Sequence, residues 1–202
     1  MKIDYRIARA EDIDSITDYM EMASGGITEF LLKDLISNFS PKDLIKLALN
    51  DENTPYYYAN VIVAEVNNKI VGATNFYPAD QHGVPDIMLS FIPTDRIEIL
   101  APFLNSRVDN SLYIHTLAVH PDYRQTAIAM DLCKCCEAIA LESGYEYISA
   151  HVWTDNAPVV TALKIAGFTV VEEIDIKPHP LLPHNNGMVL MKSQNLNETI
   201  LP

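Results

Sequence analysis

Apolar residues recur at helical spacing in six parts of the chain. Ile13, Ile16 and Met20, for example, fall on one face of a helix that opens near Arg9. The predicted helices run from residue 9 to the Gly25-Gly26 break, from a cap at Ser24 or Thr28 through Leu35, from Ser40 to about Leu49, near 95–104, over 124–143 and over 156–166. Pro41 favours a helix start where it stands, because proline is preferred at the first helical position.

Shorter apolar runs bounded by turn residues predict strands. They lie at residues 5–8, 60–66, 69–77, 111–119, 146–152, 168–176 and 187–192. Asn67-Asn68 predicts a two-residue hairpin turn, because asparagine tolerates positive φ. Residues 78–109 contain four prolines and predict an irregular insertion with a functional or interaction role. The order of elements predicts a mixed α/β sheet in one domain over residues 1–192, followed by a polar tail at 193–202.

Composition narrows the class of protein. Of the 202 residues, 49% are apolar and 20% charged, which excludes a disordered chain, a collagen and a coiled coil. No stretch approaches the roughly 18 apolar residues of a membrane span, and the N-terminus lacks the apolar core of a signal peptide, so we expect a cytoplasmic protein. The net charge of −13 repels nucleic acid and anionic lipid, so neither a nucleic acid nor a membrane is expected as a partner.

The cysteines and the loop histidines predict neither disulfides nor a metal site. Cys133, Cys135 and Cys136 lie within four positions, and an odd, clustered set is not a disulfide framework. Cys133 and Cys136 share a helix face and are predicted to be small buried hydrophobic residues. His179 and His184 do not fit the spacing of a zinc site.

The stretch from Leu112 to Ala129 is the most informative about chemistry. A strand runs into a short turn, and the turn opens a helix. The free N–H groups and the dipole at a helix start form an anion site that suits a pyrophosphate. Ala127 and Ala129 are small, so a ligand can approach the backbone closely. An ordinary strand–turn–helix that binds nothing has the same pattern.

This stretch resembles the GNAT superfamily of acyl-CoA-dependent N-acetyltransferases. Val119-His120-Pro121-Asp122-Tyr123-Arg124 is similar to the Val-x-Pro-x-x-Arg turn of that family, and residues 125–129 stand where its glycine-containing pyrophosphate loop follows. Asn156 and, eleven residues later, Gly167-Phe168 form a second match, and residues 5–12 resemble the first strand and helix start. The resemblance covers nearly the whole chain apart from residues 78–109 and the tail. It implies a GNAT-type fold, with a mixed, mostly antiparallel central sheet flanked by helices.

The resemblance also implies acetyl-CoA as acyl donor and assigns its contacts. Backbone groups of Leu117, Ala118 and Val119 would hold the pantetheine arm as an added strand does. A backbone N–H near Leu117 would polarise the thioester carbonyl. The remaining cofactor-binding positions are Arg124 at the start of the loop, the backbone N–H groups of Gln125, Thr126, Ala127, Ile128 and Ala129, and Asn156 beside the pantetheine or phosphates.

Two positions depart from the pattern of the family. Ala127 replaces the central glycine, and its methyl group would crowd the phosphates, although alanine keeps helical backbone angles and its N–H. Leu163 stands seven residues after Asn156, where many members carry a tyrosine that protonates the leaving thiolate. A thiolate with a pKa near about 8.5 leaves without a proton donor. Both changes favour a slow enzyme or a non-catalytic binder over a fast enzyme.

His115 is the predicted catalytic base. Its ordinary pKa of about 6.5 suits proton uptake near neutrality. It precedes Leu117 by two residues, so regular alternation places His115, Leu117 and Val119 on one face of the strand. Tyr113-x-His115 is similar to arylalkylamine N-acetyltransferases, which carry histidine at both positions. A histidine that is merely packed and hydrogen-bonded fits the pattern equally well.

Other aromatic positions favour structural roles. His120 precedes Pro121 and is predicted at the surface. His151 lies in phase with Trp153 on a strand, which favours the core over the substrate cleft. Tyr56-Tyr57-Tyr58 favours strand-edge packing over an acceptor pocket.

The sequence therefore predicts an N-acetyltransferase that moves an acetyl group from acetyl-CoA directly to a primary amine in a ternary complex. The acceptor is a small-molecule amine or a peptide amine, with the first helices, residues 78–109 and the 177–186 loop setting specificity. A GNAT-fold module that binds or senses CoA without turnover is the alternative hypothesis. The apolar pieces of the insertion also permit a homodimer.

Overall fold

In the computed structural model, which describes residues 2–84, 89–124, 126–184 and 186–198, seven strands form one sheet. The strands are β1 Asp4–Ile7, β2 Val61–Val66, β3 Lys69–Pro78, β4 Ser111–Val119, β5 Tyr147–Trp153, β6 Thr169–Ile174 and β7 Met188–Lys192. The α-helices of these residues are α1 Ile13–Ala23, α2 Ile27–Leu32, α3 Pro41–Asn50, α4 Thr94–Asn105, α5 Ile128–Glu142 and α6 Ala157–Ile165. None of the helices in the described ranges is long and apolar enough to cross a membrane.

The strand order is β1-β2-β3-β4-β5-β7-β6. Every neighbouring pair is antiparallel except β4 and β5, which are parallel. The predicted hairpin joins β2 to β3, with φ of 50° at Asn67 and 59° at Asn68. The structure thus confirms a mixed, mostly antiparallel sheet flanked by helices.

Each face of the sheet has its own hydrophobic cluster. Helix α5 buries Ile128, Leu132 and Cys136 against one face. Helix α1 buries Ile16 and Tyr19 against the other face, and α3 packs beside it. A third cluster joins α2 and α4 to β5, β7 and the end of β6.

The helix predicted over 124–143 begins later than expected. Pro121–Tyr123 form a 3₁₀ turn, and Arg124 has a non-helical ψ of −133°. Helix α5 starts at Ile128. The helix near 95–104 is found as α4, and residues 85–88 of the insertion lie outside the described residues. The limits of the domain, of its insertion and of the tail stay predictions.

Candidate functional site

An extra residue interrupts the pairing of β4 with β3 at His115. Asn75 lies opposite Thr116 and Phe76 lies opposite Ile114, so His115 has no partner on β3. A bulge of this kind bends the strand and reverses the faces of the residues that follow it.

The bulge separates His115 from the residues that alternation would align with it. Leu117 and Val119 pack in the cluster under α5. The ring of His115 lies instead near Tyr77 and Tyr113, which form a small separate cluster. The prediction that His115 shares a face with Leu117 and Val119 is wrong, because it assumed unbroken alternation.

Strands β4 and β5 run side by side for only part of their length. Their parallel pairing covers Ser111–Ile114 and Tyr147–Ala150. Beyond these residues β4 continues along β3, whereas β5 continues along β7. The facing edges of the two strands are left without a neighbouring strand, and a cleft of about 340 Å³ opens there, the β4–β5 cleft.

Helix α5 begins beside the β4–β5 cleft. Its first turn packs closely on the sheet, since a Cβ at Gly72 would lie 3.3 Å from Cγ2 of Ile128 and 3.2 Å from the carbonyl oxygen of Ala118. Ala129 and Met130 line the cleft. The first N–H groups of a helix have no intrahelical acceptor and carry partial positive charge, so this corner suits an anion.

A second cavity, of about 370 Å³, is lined by residues of α2, α3, α4 and the insertion, and we call it the apolar cavity. Five residues line both spaces: Ile27, Thr28, Phe103, His115 and Thr116. The β4–β5 cleft and the apolar cavity therefore meet at the bulge.

A chain of hydrogen bonds orients the ring of His115. The carbonyl of Phe103 only accepts, so Nε2–H of His82 donates to it at 3.1 Å and Nδ1 of His82 keeps a lone pair. The hydroxyl of Tyr77 lies 3.5 Å from that Nδ1 and 3.1 Å from Nδ1 of His115. Both Nδ1 atoms have a partner in this chain when Tyr77 donates to His82 and His115 Nδ1–H donates to Tyr77. Nε2 of His115 then carries its lone pair.

A second chain holds His151. Its Nδ1 lies 2.8 Å from the hydroxyl of Tyr113, and its Nε2 lies 2.7 Å from Oγ of Ser106. Ser106 also donates to the carbonyl of Phe103 at 3.1 Å. His82 and His151 thus use both ring nitrogens, whereas Nε2 of His115 has no partner among the described residues.

All three histidines are neutral at physiological pH. Burial lowers the pKa of His115 to about 3 and that of His82 to about 4. It also lowers the pKa of His151 well below the ordinary value, and His82 and His115 add to this shift. Burial raises the pKa of Tyr56, whose ring lies 5.1 Å from that of His115, to about 12.

The family follows from a match over most of the chain. The model of the Acetyltransferase (GNAT) family matches residues 26–168. The chain belongs to the GNAT acetyltransferase family. It is therefore an acyltransferase, and acetyl-CoA is its acyl donor. No curated protein sequence matches this GNAT enzyme.

Solved structures show the same fold at low identity. An N-acetyltransferase from Staphylococcus aureus Mu50 is 19% identical, with a TM-score of 0.65, over 94% of this chain and 98% of that one. The putative acetyltransferase yncA from Salmonella typhimurium, with its cofactor acetyl-CoA, is 16% identical, with a TM-score of 0.61, over 100% and 98%. Diaminobutyrate acetyltransferase EctA from Paenibacillus lautus, in complex with its substrate and coenzyme A, is 16% identical, with a TM-score of 0.59, over 97% and 96%.

Only some of the predicted cofactor residues that the structure describes lie at the β4–β5 cleft. Leu117, Ala129 and Asn156 line it. Asn156 stands just before α6, and its side chain makes no capping hydrogen bond. Ala118, Val119 and Ile128 are buried and Arg124, Thr126 and Ala127 are exposed, and none of these six lines the cleft, whereas Gln125 lies outside the described residues.

Two N–H groups near the α5 start already have acceptors, since that of Thr126 lies 3.3 Å from the carbonyl of Tyr123 and that of Ile128 lies 3.4 Å from Oγ1 of Thr126. Ala127 has φ of −72° and ψ of −5°, ordinary helical values that need no glycine. Oγ1 of Thr126 donates to the carbonyl of Tyr123 at 2.6 Å. Nε of Arg124 lies 3.4 Å from the carbonyl of Val119, which keeps this cation beside the end of β4.

The structure adds residues that the sequence did not single out. His82, Phe103 and Ser106 come from the insertion, and the role predicted for residues 78–109 was the signal that pointed to them. Tyr56 lines the apolar cavity, in contrast to the edge packing predicted for it. His151 lines the β4–β5 cleft, although it was predicted in the core.

Leu163 and the cysteines offer no alternative catalytic group. Leu163 is buried at the wall of the β4–β5 cleft. Cys133 also lines this cleft, but burial raises its pKa to about 12, so it remains a thiol. In the described ranges, no group of three or more His, Cys, Asp or Glu residues is arranged to hold a metal ion.

Proposed function

We propose that this GNAT enzyme transfers the acetyl group of acetyl-CoA directly to a primary amine within a ternary complex. The shared wall of the two spaces carries the proposal. Because the β4–β5 cleft and the apolar cavity have His115 and Thr116 in common, a donor in one and an acceptor in the other would meet at the bulge. The neutral thiol of Cys133 disfavours a route through an acetylated enzyme.

The chain offers acetyl-CoA three kinds of contact that fit its parts. The free edge of β4 at Leu117, Ala118 and Val119 suits the amides of the pantetheine arm. The α5 start suits the pyrophosphate, with Arg124 as a nearby cation. The side-chain amide of Asn156, which lines the cleft and makes no capping hydrogen bond, is the third group, and it suits the pantetheine or the phosphates. When bound, the cofactor supplies an activated thioester.

His115 is the proposed proton acceptor. Its Nε2 is the free ring nitrogen of the cluster, and it carries the lone pair when Tyr77 donates to His82 and accepts from His115. A base with a pKa of about 3 cannot deprotonate an ammonium ion. Taking a proton from an alkylammonium with a pKa of about 10 would cost roughly 10 kcal/mol.

The amine must therefore reach the bulge uncharged. Once its nitrogen bonds to the acyl carbon, its N–H becomes strongly acidic, and His115 accepts that proton as the C–S bond breaks. The rate should then rise with pH as the alkylammonium loses its proton to give the free amine, with no inflection near pH 6.5, the ordinary pKa of histidine.

Steady-state kinetics test this proposal. Release of the CoA thiol is followed while acetyl-CoA and a primary amine are both varied, and the acetylated amine is identified by mass. We expect intersecting double-reciprocal lines and unchanged turnover in Cys133→Ser. Parallel lines with an isolable acetyl-enzyme would overturn direct transfer, and binding of acetyl-CoA without CoA release in the presence of any amine would favour the non-catalytic binder. The cytoplasmic location and the homodimer stay predictions.

A further inference from the structure

The apolar cavity has a wall unlike that of the β4–β5 cleft. Aliphatic and aromatic side chains dominate it, among them Leu31, Leu32, Leu44, Ile45 and Phe103. Ile36, Leu47 and Phe91 remain 40%, 55% and 58% exposed. Large apolar side chains left exposed around one concavity mark a binding site.

We infer that this cavity binds the apolar body of the acceptor, a primary amine that carries a hydrocarbon chain or an aromatic ring and no carboxylate. The inference rests on the proposed function and names its substrate class. The cavity opens onto His115, so an amine at the bulge places its body among these side chains.

The volume of the cavity limits the size of the apolar part of the acceptor. A cavity of about 150 Å³ accommodates benzene, and the space here is about 370 Å³. It therefore holds a chain of about eight carbons or a fused pair of rings. A short polar amine would leave most of the wall uncovered.

The charge of the wall excludes acidic acceptors. Of the described residues that line the cavity, none is Lys or Arg, and Asp51 is an acid. Hydrogen bonds from Asn53 keep the pKa of Asp51 low, so its carboxylate is ionised and repels a second one. A buried carboxylate without a cation is strongly disfavoured. The same apolar wall favours the uncharged amine that His115 requires.

Calorimetry on the enzyme saturated with CoA, which permits no turnover, measures acceptor binding directly. The probes are propylamine, pentylamine, hexylamine and octylamine, with norleucine as pentylamine bearing an added carboxylate. We expect Kd to fall by about fourfold for each methylene. Norleucine should bind at least about 100-fold more weakly than pentylamine. A Kd that does not change with chain length, or equal binding of norleucine, would overturn the inference.

A matched pair of variants on α3 locates the site. Ala48 lines the cavity, and Ala48→Phe should weaken octylamine at least about tenfold while leaving propylamine within about twofold. Asn50→Phe adds the same side chain at an exposed position of α3 outside the cavity wall and should change neither. If Ala48→Phe instead impairs only the use of octanoyl-CoA, the cavity holds a long acyl chain and the inference is wrong. If a peptide with an apolar N-terminus binds more tightly than octylamine, the small-amine class is wrong.

Binding and turnover separate the two proposals. Chain-length-dependent binding without acetylation of any amine would refute the proposed function and leave the cavity assignment standing. If short and long amines are acetylated at equal kcat/KM and bind with equal Kd, the proposed function stands and the cavity assignment is refuted.

Discussion

The β4–β5 cleft and the apolar cavity meet at His115 but are built from different parts of the chain. The cleft lies between the free edges of two strands and beside the start of α5, so backbone N–H and C=O groups of the strand edges face it. The cavity wall consists of side chains gathered from residues 20 to 116. A site made of backbone groups should tolerate side-chain change, whereas a site made of side chains changes its specificity with them.

Replacing His115, where the cleft and the cavity meet, should have the largest effect on kcat. His115→Ala eliminates the proton acceptor and should lower kcat by about 100- to 10,000-fold. The Kd of acetyl-CoA should stay within about threefold, because the cleft binds mainly through backbone. Stopped-flow or steady-state rates together with calorimetry measure both quantities.

His120→Ala is the matched control, since His120 lies just after β4 and is largely exposed. It should leave kcat unchanged. Undiminished kcat/KM in His115→Ala would refute the base assignment and leave the acetyltransferase intact.

The next largest effect should be a pH dependence of the free energy of unfolding, caused by the three buried histidines. The folded-state pKa values of His82, His115 and His151 lie below the unfolded value of about 6.5. As pH falls from about 6 to 4.5, the unfolded state binds up to three protons that the folded state does not. The free energy of unfolding should then fall by up to about 4 kcal/mol per pH unit. Urea unfolding at several pH values measures this slope.

His82→Gln keeps an amide donor for Phe103 and removes one titrating group. It should reduce the slope by about a third. A slope that is the same in the variant would show that carboxylates, not these histidines, govern acid unfolding.

Loss of the hydroxyl that orients His115 should have a smaller effect on rate. In Tyr77→Phe the Nδ1–H of His115 loses its acceptor, and the ring no longer holds one tautomer. We expect kcat to fall by about 10- to 100-fold, as for other partners that orient a functional histidine. Acetyl-CoA affinity should not change.

Tyr113→Phe removes the corresponding hydroxyl from His151, which is not the proposed base. It serves as a control for the general cost of deleting a buried hydroxyl. Equal loss of kcat in both variants would argue against a specific role for Tyr77.

The smallest effects are expected at Ala127, on the backbone-built side. Ala127→Glu places a carboxylate beside the proposed phosphates and should weaken acetyl-CoA about tenfold, while the helix dipole keeps the fold stable. Ala127→Gln, of the same size, should change Kd by less than about threefold. Ala127→Gly should do the same, since Ala127 already has helical backbone angles. Tighter binding by tenfold or more in Ala127→Gly would show that the methyl group crowds the site.

The fold and the proposed cofactor site could be predicted from local sequence. Hydrophobic periodicity predicted the strands and helices, the stretch from Val119 to Ala129 indicated the pyrophosphate corner, and its resemblance indicated the family. These features depend on neighbours a few residues apart, which a sequence displays directly. The start of α5 was placed four residues early because the turn at Pro121–Tyr123 precedes the helix proper.

Only the tertiary structure reveals the apolar cavity, which we propose as the acceptor side. One unpaired residue at His115 reversed the face of β4, and no local pattern marks where a bulge falls. His82 and Phe103 reach that bulge from the insertion, and burial there lowers the pKa of His115 far below the value that made it an attractive base. Sequence alone determined that this chain folds as a GNAT enzyme, because the motifs that indicate the family are local. The apolar cavity and the state of its base depend on residues far apart in the chain, and only packing brings them together.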